Sequence, residues 1–308
     1  MSTITPLTPT TPARAWLESL RPKTLPLAFA SIVMGSAIAS LQGVFHPLIA
    51  LLALLTAGCL QILSNLANDY GDAEKGSDTP ERIGPICGMQ KGLITAGQMK
   101  RAIILTIALT LICGTALIAV ACHKPSDVVG FLILGLLSIG AAITYTVGTR
   151  PYGYMGLGDI SVLIFFGWIS VAGTFYLQAG YFDWIVMLPA TATGLLSTAV
   201  LNINNLRDIE TDSANGKNTL AVRLGPVNAR RYHAIILTAA VLCLVIFSAL
   251  HLPHWTGWLF ILALPMLAKH LMRVMKSTTS TEVRPLLEHM VKTALLTNVL
   301  FAVGLLLN

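Results

Sequence analysis

The sequence predicts an all-α integral membrane protein, a nine-transmembrane-helix bundle with two Asp-rich cytoplasmic loops. Three observations predict it. Of the 308 residues, 55% are hydrophobic and 11% charged, with a mean hydropathy of +0.73, against roughly 25% charged residues in soluble chains. The apolar residues fall in runs long enough to cross a bilayer, about 17–25 residues each. Two of those runs end in clusters of Asn and Asp, Asn65-Leu-Ala-Asn68-Asp69-Tyr-Gly-Asp72 and Asn204-Asn205-Leu-Arg-Asp208-Ile-Glu-Thr-Asp212.

In chain order, residues 1–13 are rich in Thr and Pro and read as a disordered tail, and 14–308 as a single domain, because no polar linker divides it. A short interfacial helix near 13–20 leads to Arg21-Pro22. The spans then lie near 25–41, 48–67, 102–121, 128–147, 160–177, 185–204, 234–250, 255–272 and 291–307. Each must be helical, since lipid offers backbone amides no partner outside the segment.

Charge orients the bundle. With the N-terminus in the cytoplasm, every Lys and Arg except Lys124 falls on the inner side, as the positive-inside rule requires, and nine crossings put the C-terminus outside. The net charge of +6 and pI near 9.2 follow from those loops and do not point to nucleic acid; the bilayer itself is the partner. Of the acids only Asp127 and Asp183 fall outside, so the inner acids need their own explanation. Cys59, Cys113, Cys122 and Cys243 lie in or beside apolar runs without a paired framework, and the His residues form no metal pattern.

The clusters supply that explanation. Asn65, Asp69 and Asp72 stand at i, i+4 and i+7, and Asn204, Asp208 and Asp212 at i, i+4 and i+8, so each trio follows one helix face. A single acid after a membrane helix is ordinarily a solvated loop residue or an N-cap, but two matched trios are not. Gathered anionic oxygens repel unless a cation compensates them, and Mg2+ suits carboxylates while bridging to substrate phosphates. A bound diphosphate with Mg2+ is the chemistry this pattern fits, with Asn65, Asp69, Asp72, Asp208 and Asp212 as ligands and Asn204 beside the substrate.

Each cluster is followed by a basic stretch and another span, Lys91-Gly92-Leu93-Ile94-Thr95 after the first and Lys217-Asn218-Thr219-Leu220-Ala221 after the second. Such a repeat would set the clusters across a shared cavity. Lys75, Arg82, Lys91, Arg150 and Lys217, on the same side, are candidates for the outer phosphate oxygens, although positive-inside topology alone also accounts for any one of them. The segment from Tyr145 to Asp159 contributes Tyr145, Tyr152 and Tyr154, whose ring faces suit a carbocation; interfacial anchoring is the plainer account.

At these residues the chain resembles the membrane-embedded aromatic prenyltransferases that make quinones, haem O and chlorophyll. The runs Ser19-Leu-Arg-Pro-Lys-Thr-Leu-Pro26, Leu66-Ala-Asn-Asp-Tyr-Gly-Asp72, Asp78-Thr-Pro-Glu-Arg-Ile-Gly-Pro85 and Asn202-Ile-Asn-Asn-Leu-Arg-Asp208 look like the 1,4-dihydroxy-2-naphthoate branch. The resemblance implies a nine-helix bundle opening laterally to lipid, Mg2+ as cofactor, and polyprenyl diphosphate and 1,4-dihydroxy-2-naphthoate as substrates. It also implies that Arg21 points into the active cavity. Two departures stand out: the family's third acid of the first motif falls on Gly76, and a Lys following the Tyr equivalent to Tyr145 falls on Thr149, leaving Arg150.

The implied reaction ionises the diphosphate to an allylic cation, which the dihydroxynaphthoate ring attacks at the carbon bearing its carboxylate, with loss of CO2. Two rivals remain. A prenyltransferase for another acceptor, such as 4-hydroxybenzoate, would share every feature above. An ion-coupled transporter would carry intramembrane acids too, but nearer the midplane than these helix-end clusters.

Overall fold

The computed structural model describes residues 11–76 and 88–308. Among these, nine helical segments are long and apolar enough to cross a membrane. An interfacial helix α1 (Pro12–Leu20) precedes α2 (Leu25–Leu41), α3 (Pro47–Lys75), α4 (Ala96–Ala121) and α5 (Pro125–Thr144). After a loop come α6 (Gly158–Ala179), α7 (Trp184–Arg207), a short α8 (Ile209–Ala214), α9 (Leu220–His251), α10 (Trp255–Lys276) and α11 (Ser280–Leu306).

Every predicted span is present, and several run further at the end that carries the polar motifs. The reason is local: α3 continues through its Asn/Asp cluster because its face still packs against protein, and it stops only at Gly76, whose φ of 64° is left-handed. The interfacial helix begins at Pro12, capped by the Thr11 hydroxyl, so two residues read as tail belong to it. Arg21 ends that helix with φ 50°, the one non-glycine positive φ among the described residues, and so turns the chain sharply into α2.

Helices differ in how much protein surrounds them. The most apolar stretch of α7 is 61% buried and that of α11 50%, whereas α5 is only 6% buried, so α7 and α11 are central and α5 faces lipid. Two apolar clusters hold the centre together. One packs Met34, Phe175, Phe247, Phe260 and Phe301 at one end of the bundle; the other packs Leu196, Ile203, Leu237, Leu267 and Met290 toward the motif end.

Close approach of helices rests on small residues, as it does where lipid offers no hydrophobic drive for association. A Cβ on Gly167 of α6 would stand 2.6 Å from the Ala190 carbonyl oxygen of α7, and one on Gly194 2.9 Å from the Gly167 Cα. Between residues 163 and 172, α6 widens to π-helical winding, and the Ser170 hydroxyl donates to the Phe165 carbonyl five residues back, at 2.6 Å. Such wide turns are frequent at functional sites, and this one lines the cavity described next.

Candidate active site

Both Asn/Asp clusters lie at one end of the bundle, and the loop after α5 joins them. A Cβ on Gly71 would lie 2.7 Å from the Thr146 backbone, and the Thr146 hydroxyl donates to the Ala67 carbonyl at 3.0 Å. The loop therefore docks directly on the last turns of α3. Next to Thr146, Tyr145 meets Tyr152 edge to face at 5.3 Å, and the Tyr152 hydroxyl is 3.1 Å from that of Ser161.

These tyrosines wall a cavity of about 260 Å³ that also contacts Gln61, Asn68, Phe165 and Leu201. A larger groove, about 460 Å³, lies among Leu206, Ile209, Arg230 and Val283; Glu210 of the second cluster lines it, but none of the loop tyrosines does. The smaller cavity is the aromatic one, and Asn65 and Asn68 of the first cluster line it. Burial pushes the Tyr145 phenol well above its ordinary pKa, and Asp159, Tyr152, Asp72 and Asp212 push it the same way. Tyr145 is thus a neutral donor within electrostatic reach of carboxylates from both clusters. Burial likewise raises the Tyr152 phenol, against the pull of its Ser161 hydrogen bond.

Each cluster acid has a distinct partner. Asp69, 2% exposed, pairs with Arg21 Nη2 at 2.6 Å, so the strained turn at Arg21 delivers its guanidinium to α3. Asp72 Oδ1 accepts from the Tyr154 hydroxyl at 2.7 Å. Asp208 receives Arg207 through Nε at 2.7 Å and Nη2 at 2.5 Å, and the same Nη2 reaches Asn204 Oδ1 at 3.0 Å. Asp212 lies 3.9 Å from Lys217 Nζ, and its amide donates to the Asp208 carbonyl at 2.8 Å, which keeps the two acids in helical register across the break at 208.

Asn65 does not present a free amide to the cavity. Its Nδ2 donates to the Leu20 carbonyl at 2.9 Å and to the Thr24 hydroxyl at 3.2 Å, and its Oδ1 accepts from Gln61 at 3.0 Å. It tethers the α1–α2 turn to α3. The neighbouring Asn68 has a buried Oδ1 with no hydrogen-bond partner among the described residues and lines the cavity. Sequence reading passed over it, although it sits directly before Asp69 and one helical turn before Asp72.

Of the basic candidates, Lys217 is at the site, beside Asp212. Lys91 pairs with Glu18 at 2.6 Å, which staples α1 to the loop before α4. Arg150 is exposed on the α5–α6 loop. Arg82 lies outside the described residues, as do Asp78 and Cys87. The structure adds what spacing did not reveal: the partners Arg207 and Tyr154 of the cluster acids, and Asp159, a buried acid beside the Tyr232 hydroxyl. Asp159 stands in the first turn of α6, where the helix dipole favours an anion.

The donor set suits Mg2+: it is all oxygen, and it includes the orphaned Asn68 Oδ1. Among the described residues no three His, Cys, Asp or Glu side chains stand close enough to hold an ion by themselves.

A bundle of this kind, with an oxygen-rich polar end above an aromatic cavity, defines a membrane-embedded prenyltransferase: residues 28–303 match the UbiA prenyltransferase family, and the chain belongs to it. The chain is 65% identical over 295 residues, 96% of each protein, to the 1,4-dihydroxy-2-naphthoate octaprenyltransferase of Escherichia coli (strain K12). It is 54% identical over 298 residues, again 96% of each, to the protein of that name from Haemophilus influenzae. The fold is also that of a UbiA homolog from Archaeoglobus fulgidus bound to DMAPP and Mg2+, with a TM-score of 0.59 over 94% of this chain and 99% of that one at 14% identity.

Proposed function

We propose that the protein transfers a polyprenyl group from a polyprenyl diphosphate to 1,4-dihydroxy-2-naphthoate with loss of CO2, giving demethylmenaquinol for menaquinone synthesis. The observation that carries this reading is the meeting of the first acidic cluster and the basic segment after the second on one tyrosine loop, Asp72 at the Tyr154 hydroxyl and Lys217 at the Tyr154 ring, in a chain 65% identical to an enzyme of that name.

Asn68, Asp72, Asp208 and Asp212 would hold Mg2+ together with the diphosphate. When bound, the ion supplies charge neutralisation for the departing diphosphate. Lys217, Arg150 and Arg82 serve the outer phosphate oxygens, where cations stabilise charge that develops as the C–O bond breaks. Arg21 and Arg207 hold Asp69 and Asp208 in place, and Lys91 secures α1.

The bond to diphosphate breaks with its electron pair leaving on oxygen. The allylic cation that remains faces Tyr145 and Tyr152, whose rings stabilise positive charge through their quadrupoles and whose raised pKa values keep them neutral. The acceptor ring forms its new C–C bond at the carbon bearing the carboxylate. Loss of CO2 returns the electron pair of the broken C–C bond to the ring and restores aromaticity. The polyprenyl tail leaves sideways into lipid, gaining about 0.8 kcal/mol per buried CH2 over exposure to water.

We place the protein in the bacterial inner membrane with its N-terminus and both clusters on the cytoplasmic side and its C-terminus outside, which the distribution of Lys and Arg supports. The test is direct. Purified protein with Mg2+ and a polyprenyl diphosphate is offered 1,4-dihydroxy-2-naphthoate and 4-hydroxybenzoate, and prenylated product and CO2 are measured. Prenylation of 4-hydroxybenzoate alone sinks the acceptor assignment, and prenylation of neither sinks the reaction.

A further inference from the structure

We propose that Tyr154 is a positioning residue that couples the two acidic clusters and aims two ammonium groups, Lys75 and Lys217, at the diphosphate. The inference rests on the prenyl-transfer reading above and concerns what Tyr154 does for residues of the predicted ligand set.

Tyr154 sits in the short 3₁₀ turn Tyr152–Met155, which Gly156 closes at φ 73°. From that turn it contacts three parts of the chain. Its hydroxyl donates to Asp72 Oδ1 at 2.7 Å, on the first cluster. Its carbonyl accepts from the Asn218 amide at 3.0 Å, just after the second. Its ring lies 5.5 Å from Lys75 Nζ and 5.2 Å from Lys217 Nζ, measured to the centroid.

Both lysines are tied down independently. Lys75 Nζ donates to the Gly148 carbonyl at 2.8 Å, which fixes the end of α3 to the tyrosine loop. Lys217 donates its backbone amide to the Asp212 carbonyl at 2.8 Å, and its ammonium stands 3.9 Å from the Asp212 carboxylate. Two ammonium groups drawn to one ring repel each other, and the ring quadrupole offsets part of that repulsion. A multivalent anion is the ligand such a pair suits, and the two cations arrive from opposite clusters.

The hydrogen bond to Asp72 acts differently from the ion pairs at Asp69 and Asp208. A guanidinium brings a positive charge to the carboxylate that it orients, whereas the Tyr154 phenol orients Asp72 without adding one. The Tyr154 hydroxyl and ring therefore have separable duties. The hydroxyl serves the metal through Asp72, and the ring serves the diphosphate through the lysines.

The test separates them by substitution. Tyr154→Phe keeps the ring and loses the hydroxyl, Tyr154→Leu loses both, and Lys75→Met removes one exposed cation. Each is purified in detergent and assayed for turnover across Mg2+ and polyprenyl diphosphate concentrations, and binding of inorganic diphosphate with Mg2+ is measured by calorimetry. Tyr154→Phe is expected to raise the half-saturating Mg2+ about tenfold with little change in diphosphate KM. Tyr154→Leu adds about a tenfold rise in that KM and a matching loss of inorganic diphosphate binding, and Lys75→Met reproduces the KM effect without the Mg2+ effect. Wild-type Mg2+ and diphosphate dependence in all three, or a fall in kcat alone, overturns the proposal. If Tyr154→Leu does not fold, the split between Tyr154→Phe and Lys75→Met decides. Wild-type protein that neither binds diphosphate nor prenylates removes the underlying reading as well, an outcome distinct from active wild type with indifferent variants.

Discussion

Asn65 and Asn68 lie three positions apart on α3 and have opposite situations. Both line the cavity, but the first spends its amide on Leu20, Thr24 and Gln61, whereas the second has a buried oxygen with no hydrogen-bond partner among the described residues. Asn68→Ala should therefore reduce turnover by about 100-fold at an unchanged melting temperature. Asn65→Ala should instead destabilise the fold by about 1–3 kcal/mol, with turnover below the melt largely kept. Activity assays paired with thermal melting in detergent check both, and an inactive Asn65→Ala of normal stability would return Asn65 to the ligand set. At Asp208, the buried Arg207 is 5% exposed; Arg207→Met leaves the acid without that partner and should cost about 3–5 kcal/mol, seen as a lower unfolding midpoint. Spacing could find the acids, because helical periodicity is written in the chain. It could not find their partners, because Arg21 reaches Asp69 across 48 residues and Tyr154 reaches Asp72 across 82.

At the level of elements, the decisive contact is α3 against the tyrosine loop at Gly71. An alanine there puts a methyl group 2.7 Å from the Thr146 carbonyl, so either the loop or the helix must shift. Gly71→Ala should destabilise by about 1–3 kcal/mol and lower activity more than stability alone explains, because Tyr145 and Tyr154 move with the loop. Normal turnover in that variant would show that the loop need not dock on α3. The helices themselves were legible from apolar runs, but their motif-side ends were not. The span read as 48–67 is a helix to Lys75, since hydropathy marks where lipid ends and not where protein packing ends. Gly76 shows the converse: its left-handed φ closes the helix at the position where the family carries a further acid, so that departure from the pattern coincides with a chain turn.

For the whole molecule, the cluster acids have protein partners, Arg21, Tyr154, Arg207 and Lys217. Stripping the ion should therefore stop the reaction without unfolding the bundle. Chelation with EDTA is expected to abolish turnover, restored by added Mg2+, while the melting temperature without substrate changes little; a large drop would mean the metal is structural. Taken by itself, the sequence determined the membrane class, the nine crossings, the helical phase of each acidic trio and, through resemblance, the family. Composition and periodicity are local properties, and they suffice for those. Only the tertiary structure decided which Asn spends its amide on neighbouring protein groups, which cation holds which acid, and that one tyrosine touches both the first cluster and the basic segment after the second. Those depend on side chains distant in sequence meeting at one end of the bundle, and neither hydropathy nor spacing encodes which of them meet.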